Sequence, residues 1–77
     1  MNTEFVSLSE IRPGCTACVK RLHLSGAIRQ RLLDLGLIEG TRVQCLGCSP
    51  AGDPTAYLIR GAVIALRSSD SCGIEVI

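Results

Sequence analysis

Cys15-Thr-Ala-Cys18 and Cys45-Leu-Gly-Cys48 are the residues of this chain whose type and spacing could do chemistry. Four thiolates offered as two C-x-x-C pairs suit a tetrahedral zinc ion. For the sulfurs to meet, residues 15–22 and 41–48 would have to pair as antiparallel strands, which brings the cysteine-bearing ends together. The same spacing carries an obstacle. Residues three apart on a regular strand face opposite sides, so each pair needs a turn or a bulge. Pro13-Gly14 and Gly47 are placed to supply one. The plainer alternative is that these cysteines are small core residues. Cys72 has no partner in sequence and reads as a packed thiol. Five cysteines are an odd number, which argues against a closed disulfide framework and for a reducing compartment.

Other chemistry is sparse. His23 is the only histidine, and a surface or loop position fits it better than a ligand role. Ser, His and Asp occur without a triad arrangement, and no Gly-rich phosphate loop is present, so an enzyme is not expected. Arg29, Arg31, Arg42, Arg60 and Arg67 are dispersed among acids, and the net charge is only +1. With one Phe, one Tyr and no Trp there is no platform for stacking bases. Nucleic acid is therefore not an expected partner.

The elements that must position these residues are mostly strands. Leu8 to Ile11 reads as a single turn, and Pro13-Gly14 forces the chain to reverse. A strand is expected over 15–22, with Ala17 and Val19 on one face and Lys20 on the other. Ser25 reads as the N-cap of a helix whose apolar stripe is Ala27, Ile28, Leu32 and Leu35. Gly36 fits the left-handed position after the last turn, with Leu37 folding back on Leu32 as in a Schellman ending. Thr41 to Leu46 is a second strand with Val43 and Cys45 inward. Residues 49–54, Ser-Pro-Ala-Gly-Asp-Pro, are dense in turn formers and read as a loop. Ala56 to Arg60 and Ala62 to Arg67 form a tight hairpin around Gly61. Ser68 to Cys72 is one helical turn, and Gly73 to Ile77 a closing strand with Ile74 and Val76 inward.

About five short strands with one helix inserted between the first two predict a single domain over residues 1–77, a mainly β protein built as a small antiparallel barrel. Closure would remove exposed strand edges. A chain of 77 residues with 47% hydrophobic residues can build one compact core. The longest apolar run, Gly61 to Leu66, is far short of the ~20 residues a membrane span needs. The first residues carry an acid at Glu4 and no apolar stretch, so no signal peptide is expected.

Arg31-Leu-Leu-Asp-Leu-Gly-Leu-Ile38, followed by Glu39-Gly40-Thr41 and Val43, resembles the signature of the ferrous iron transport protein A (FeoA) family. Pro50, Gly52-Asp53-Pro54, Arg60-Gly61, Ala65-Leu66-Arg67, the opening Leu8, Ile11 and Pro13-Gly14, and the closing Ile74-Glu75-Val76 extend the resemblance along the chain. It implies an SH3-like β-barrel with a helical insertion. It also implies a non-enzymatic cytoplasmic accessory protein of ferrous iron uptake, docking on the cytosolic part of the membrane transporter FeoB and so held peripherally at the inner membrane. A homodimer is compatible with this. No catalytic residues come with the family. The two C-x-x-C pairs depart from its pattern, and zinc or ferrous iron at Cys15, Cys18, Cys45 and Cys48 defines the rival reading, a free-standing metal-binding or metal-sensing protein.

The helix end offers the docking surface. Leu33 lies off the buried stripe, and Ile38 is not used by the Schellman ending. With Asp34 and Leu37 they form a candidate partner contact. The plain alternative packs Leu33 and Ile38 beneath residues 49–54. Asp34 could also pair with Arg31 or hold the following loop through its backbone amides.

Overall fold

The computed structural model describes residues 5–77, and Glu4 of the N-terminal reading lies outside them. Five strands form one antiparallel sheet: β1 (Thr16–Leu22), β2 (Arg42–Cys48), β3 (Thr55–Ile59), β4 (Ala62–Leu66) and β5 (Ile74–Val76). Their order is β4-β3-β2-β1-β5. The helix α1 (Gly26–Asp34) enters between β1 and β2, and one turn, α2 (Ser68–Ser71), joins β4 to β5. A 3₁₀ turn over Leu8–Glu10 precedes β1.

β1 curls the sheet by serving two neighbours. Its first half pairs with β2, Ala17 opposite Val43. Its second half pairs with β5, Leu22 opposite Ile74. The result is barrel-like, but the sheet does not close, because β4 and β5 are its two ends. Alternation fills the interior with Ala17 and Val19, Val43 and Cys45, and Ile74 and Val76 as expected, and β3 adds Tyr57 and Ile59, all of them buried. Leu8, Leu32, Leu37 and Leu66 complete that core.

The helix touches the core mainly through its last turns. Leu32 is fully buried, Ile28 and Leu35 lean against the core, and Ala27 is exposed, so the apolar stripe is shorter than expected. Ser25 holds the N-cap position, but its hydroxyl makes no capping bond. At the other end the Schellman pattern is complete. Leu37 N–H donates to Leu32 O and Gly36 N–H to Leu33 O, each at 3.0 Å. Thr41 Oγ1 donates to Gly36 O at 2.9 Å and ties the helix end to the start of β2.

Two boundaries differ from expectation. β2 continues to Cys48, because Gly47 makes a bulge against β3 instead of ending the strand. The β3–β4 turn is only Arg60-Gly61, with φ of +51° and +84°, as a type I′ hairpin requires. It carries the Arg60 side chain across Gly36.

Gly36 is thus constrained twice. Its φ is +100°, and a Cβ there would stand 2.5 Å from Arg60 Cδ. Gly36→Ala is expected to destabilise the fold by about 1–3 kcal/mol. Equilibrium urea unfolding checks this as a lowered midpoint at unchanged slope. Adding Arg60→Ala should recover the steric part of the loss and leave the backbone strain. Full recovery would show that the left-handed backbone costs nothing.

Candidate functional site

The strands carrying the cysteines pair as the sequence suggests, yet the four sulfurs are not gathered. Thr16 stands opposite Gln44 and Cys18 opposite Arg42. Continuing that register brings Cys15 beside Cys45, whose N–H donates to Cys15 O at 2.9 Å. Cys18 is three residues further along β1, and Cys48 lies opposite Thr55 on β3. Cys45 belongs to the inward set and is 1% exposed, whereas Cys15 and Cys48 are exposed and Cys18 half-buried. Among the described residues, no three His, Cys, Asp or Glu side chains lie together in a way that could hold a metal ion. Cys72 is exposed rather than packed, its Sγ directed at Ser69 O, 3.4 Å away.

The corner at the end of α1 does form a concave site. A groove of about 250 Å³ runs between β1 and the helix end. Its apolar lining comes from Val19, Leu22, Leu33, Leu37 and Ile38, and its charged lining from Lys20, Arg21, Arg29 and Glu39. The position of the 37–40 turn follows from backbone bonds to β1. Gly40 N–H donates to Val19 O at 2.7 Å, and Val19 N–H donates to Thr41 O at 2.8 Å. Residues 49–54 take no part in the lining except elsewhere, where Gly52 borders a second cavity with Tyr57 and the 3₁₀ turn. No residue of 49–54 lines the groove on which Leu33 and Ile38 lie.

The four residues expected at the docking surface separate. Ile38 is 48% exposed and Leu33 half-buried, both on the groove. Leu37 is 0% exposed, a correction to its place in that set: as the apolar half of the Schellman ending it is spent on Leu32 and the core. Asp34 does not line the groove. It neither pairs with Arg31 nor holds the next loop, but accepts a hydrogen bond from Gln30 Nε2 at 3.0 Å, one turn back. The sequence reading missed Lys20, Arg21 and Arg29 as groove residues. Lys20 and Arg29 were legible as solvent-facing, but nothing local says that β1 passes beside the helix end.

Lys20 also belongs to a charged cluster at the far end of β1. Glu75 accepts a hydrogen bond from His23 Nε2 at 2.7 Å and lies 3.6 Å from Lys20 Nζ. These hold its carboxyl below the usual carboxylate range, the His23 hydrogen bond first and the Lys20 charge after it. His23 stacks on Phe5 with ring centroids 4.2 Å apart, so it is held in place although its side chain is 35% exposed. Burial pushes the Tyr57 phenol up, and its Oη–H donates to Leu8 O at 3.4 Å.

A family model described as FeoA domain matches residues 6–77. A curated relative, the Fe(2+) transport protein A/Fe(2+) transporter FeoB fusion protein of Porphyromonas gingivalis, is 35% identical over 69 residues, 90% of this chain and 8% of that protein. The chain therefore spans only a small part of that relative's length. The solution structure of iron(II) transport protein A from Clostridium thermocellum superposes with a TM-score of 0.88 at 34% identity, covering 92% of this chain and 44% of that one. The crystal structure of Stenotrophomonas maltophilia FeoA complexed with zinc, an SH3 domain protein, has a TM-score of 0.82 at 29% identity and covers 94% and 89% of the two chains.

The lowered Glu75 pKa sets a direction for acid stability. Stability from a depressed carboxyl is present above its unfolded pKa and is lost as pH falls through the folded value. Urea midpoints followed from neutral pH into the acid range should therefore fall less steeply for Glu75→Gln than for the parent chain. Superimposable acid limbs would show that the His23 contact contributes nothing to folding.

Proposed function

The chain belongs to the FeoA domain family, and from that premise we propose that it is a non-enzymatic accessory module of ferrous iron uptake, docking on the cytosolic part of a FeoB-type transporter. The groove between β1 and the end of α1 carries this reading. It is concave, its lining is apolar at Leu22, Leu33 and Ile38, and its charged border is three cations against one acid. Covering Ile38 and Leu33 would remove apolar surface from water, about 25 cal/mol for each Å². The cations would steer an acidic partner surface and fix its orientation, contributing more to the association rate than to affinity.

The Porphyromonas relative supports the partner. There an Fe(2+) transport protein A and an Fe(2+) transporter FeoB are one polypeptide, so the two portions meet at high effective concentration. Separate chains would need an interface to achieve the same. Among the described residues no helix is long and apolar enough to cross a membrane. The proposed location is the cytoplasm, at the inner membrane through the transporter.

Titration against the transporter's cytosolic part tests the groove. Ile38→Glu should weaken binding at least tenfold, about 1.4 kcal/mol, with an unchanged circular dichroism spectrum. Leu37→Ala should instead lower stability by about 2–5 kcal/mol, as expected for a core leucine. Undiminished binding by folded Ile38→Glu would remove the groove from the mechanism.

The rival reading makes the chain a metal-binding or metal-sensing protein using Cys15, Cys18, Cys45 and Cys48. The zinc complex of the Stenotrophomonas protein favours it, and the dispersed sulfurs speak against it. Protein purified without added metal should contain substoichiometric zinc, with Cys15 and Cys48 open to alkylation under native conditions. Stoichiometric zinc that protects all four thiols would reverse the preference.

A further inference from the structure

The two ends of the sheet are treated differently. At the β5 end the edge is occupied, since Val76 N–H donates to Val6 O at 2.9 Å and Ser7 bridges Glu75. At the other end β4 pairs with β3 alone, in an unbroken register from Ile59 opposite Ala62 to Thr55 opposite Leu66. A two-residue turn makes Ile59 and Ala62 a hydrogen-bonded pair, so Ala62, Ile64 and Leu66 bond inward to β3. Val63 and Ala65 then point their N–H and C=O groups away from the sheet. Among the described residues, no backbone hydrogen bond outside the strand ladders involves β4.

Edge strands of monomeric proteins are commonly blunted by a lysine, a proline or a bulge. Ala-Val-Ile-Ala-Leu has none of these. The face beside this edge is apolar over β3 and β4, with Gln44 of β2 opposite Leu58 as its polar neighbour. Val63 is 67% exposed, and it and Ala65 stand opposite Leu58 and Ala56, with Leu46 exposed on β2. A solvated sheet face usually alternates to polar residues at such positions.

We propose that β4 pairs with β4 of a second copy of this chain, antiparallel about a two-fold axis through Ile64. The outward-bonding residues Val63 and Ala65 are spaced evenly about Ile64, so Val63 of one copy faces Ala65 of the other in a closed, isologous contact. In that register Gly61 faces Arg67 and Arg60 faces Ser68, so no like charges meet. The β2-β3-β4 portions merge into one continuous sheet, and the two apolar strips become one. A single strand edge lies at the small end of stable interfaces, so the dimer is reversible and concentration-dependent. The groove's lining includes no β4 residue, so this inference stands or falls apart from the docking reading.

Sedimentation velocity from low micromolar to near-millimolar concentration, with hydrogen exchange on the same samples, tests it. A dimer is expected, with Val63 and Ala65 amides slowing about tenfold or more as it forms. Ala65→Pro removes an N–H that β3 does not use and should leave a folded monomer. If that variant fails to fold, the exchange measurement on the parent chain decides. A monomer throughout with both amides fast overturns the proposal, as does a dimer whose Val63 and Ala65 stay fast. Slowing only when the transporter's cytosolic part is added assigns the edge to a foreign strand and also overturns it.

Discussion

Two backbone hydrogen bonds at the end of α1, from Leu37 to Leu32 and from Gly36 to Leu33, turn the chain by a left-handed step at Gly36. The consequences spread from there. Leu37 is driven into the core beside Leu32. Thr41 reaches back to Gly36 O, and the chain runs on so that Gly40 and Thr41 meet Val19. That meeting sets β1 beside the helix end and opens the groove. Arg60, delivered by the hairpin turn, lies over Gly36. Its position near the helix C-terminus suits a cation, since the unpaired carbonyls there carry partial negative charge. One turn therefore couples the helix, the β3–β4 hairpin and the first two strands. A helix of nine residues is too short to be stable alone, and this closure helps to hold it to the sheet.

The same geometry explains why the cysteine spacing does not gather the four sulfurs. Strand alternation commits Cys45 to the inward set with Val43, next to Tyr57 on β3. A four-thiolate site needs both members of each pair on one side, and a bulge is the usual means. The bulge does occur, between Cys45 and Gly47, but it accommodates the β2–β3 register and leaves Cys48 exposed opposite Thr55. Burying a small apolar thiol suits a core that has little aromatic volume to fill it.

Features that depend on near neighbours were legible in the sequence. Alternation placed Ala17, Val19, Val43 and Ile74 inward, Gly61 marked the hairpin, and Leu32, Gly36 and Leu37 announced the Schellman ending. Features that depend on distant segments were not. That Arg60 would cross Gly36 needs two residues far apart in sequence to meet. The exposure of Ala27 reflects how little of the helix reaches the sheet. Leu37 could be read as core or contact, because the same residue type serves both and only the depth of its packing decides. Lys20 and Arg29 were visible as solvated residues, but their convergence with Arg21 on Leu33 and Ile38 is a product of tertiary structure.

Strand order carries a further consequence that no local pattern holds. The segment Ala62–Leu66 lies in the longest apolar run of the chain, which the sequence places in a hairpin without saying where in the sheet it falls. In the sheet it is terminal, and Val63 is among its most exposed side chains. An uncharged strand at the centre of a sheet is ordinary, while at an edge it leaves unpaired peptide groups beside apolar surface. The two contacts proposed for the groove and this edge also rest on different physics. The groove offers apolar side chains ringed by cations, which discriminate by shape and charge. The edge offers backbone groups, which accept a strand in a fixed direction and register with little regard for sequence. The two proposed contacts are thus separable, one set by the helix closure at Gly36 and the other by where the sheet stops.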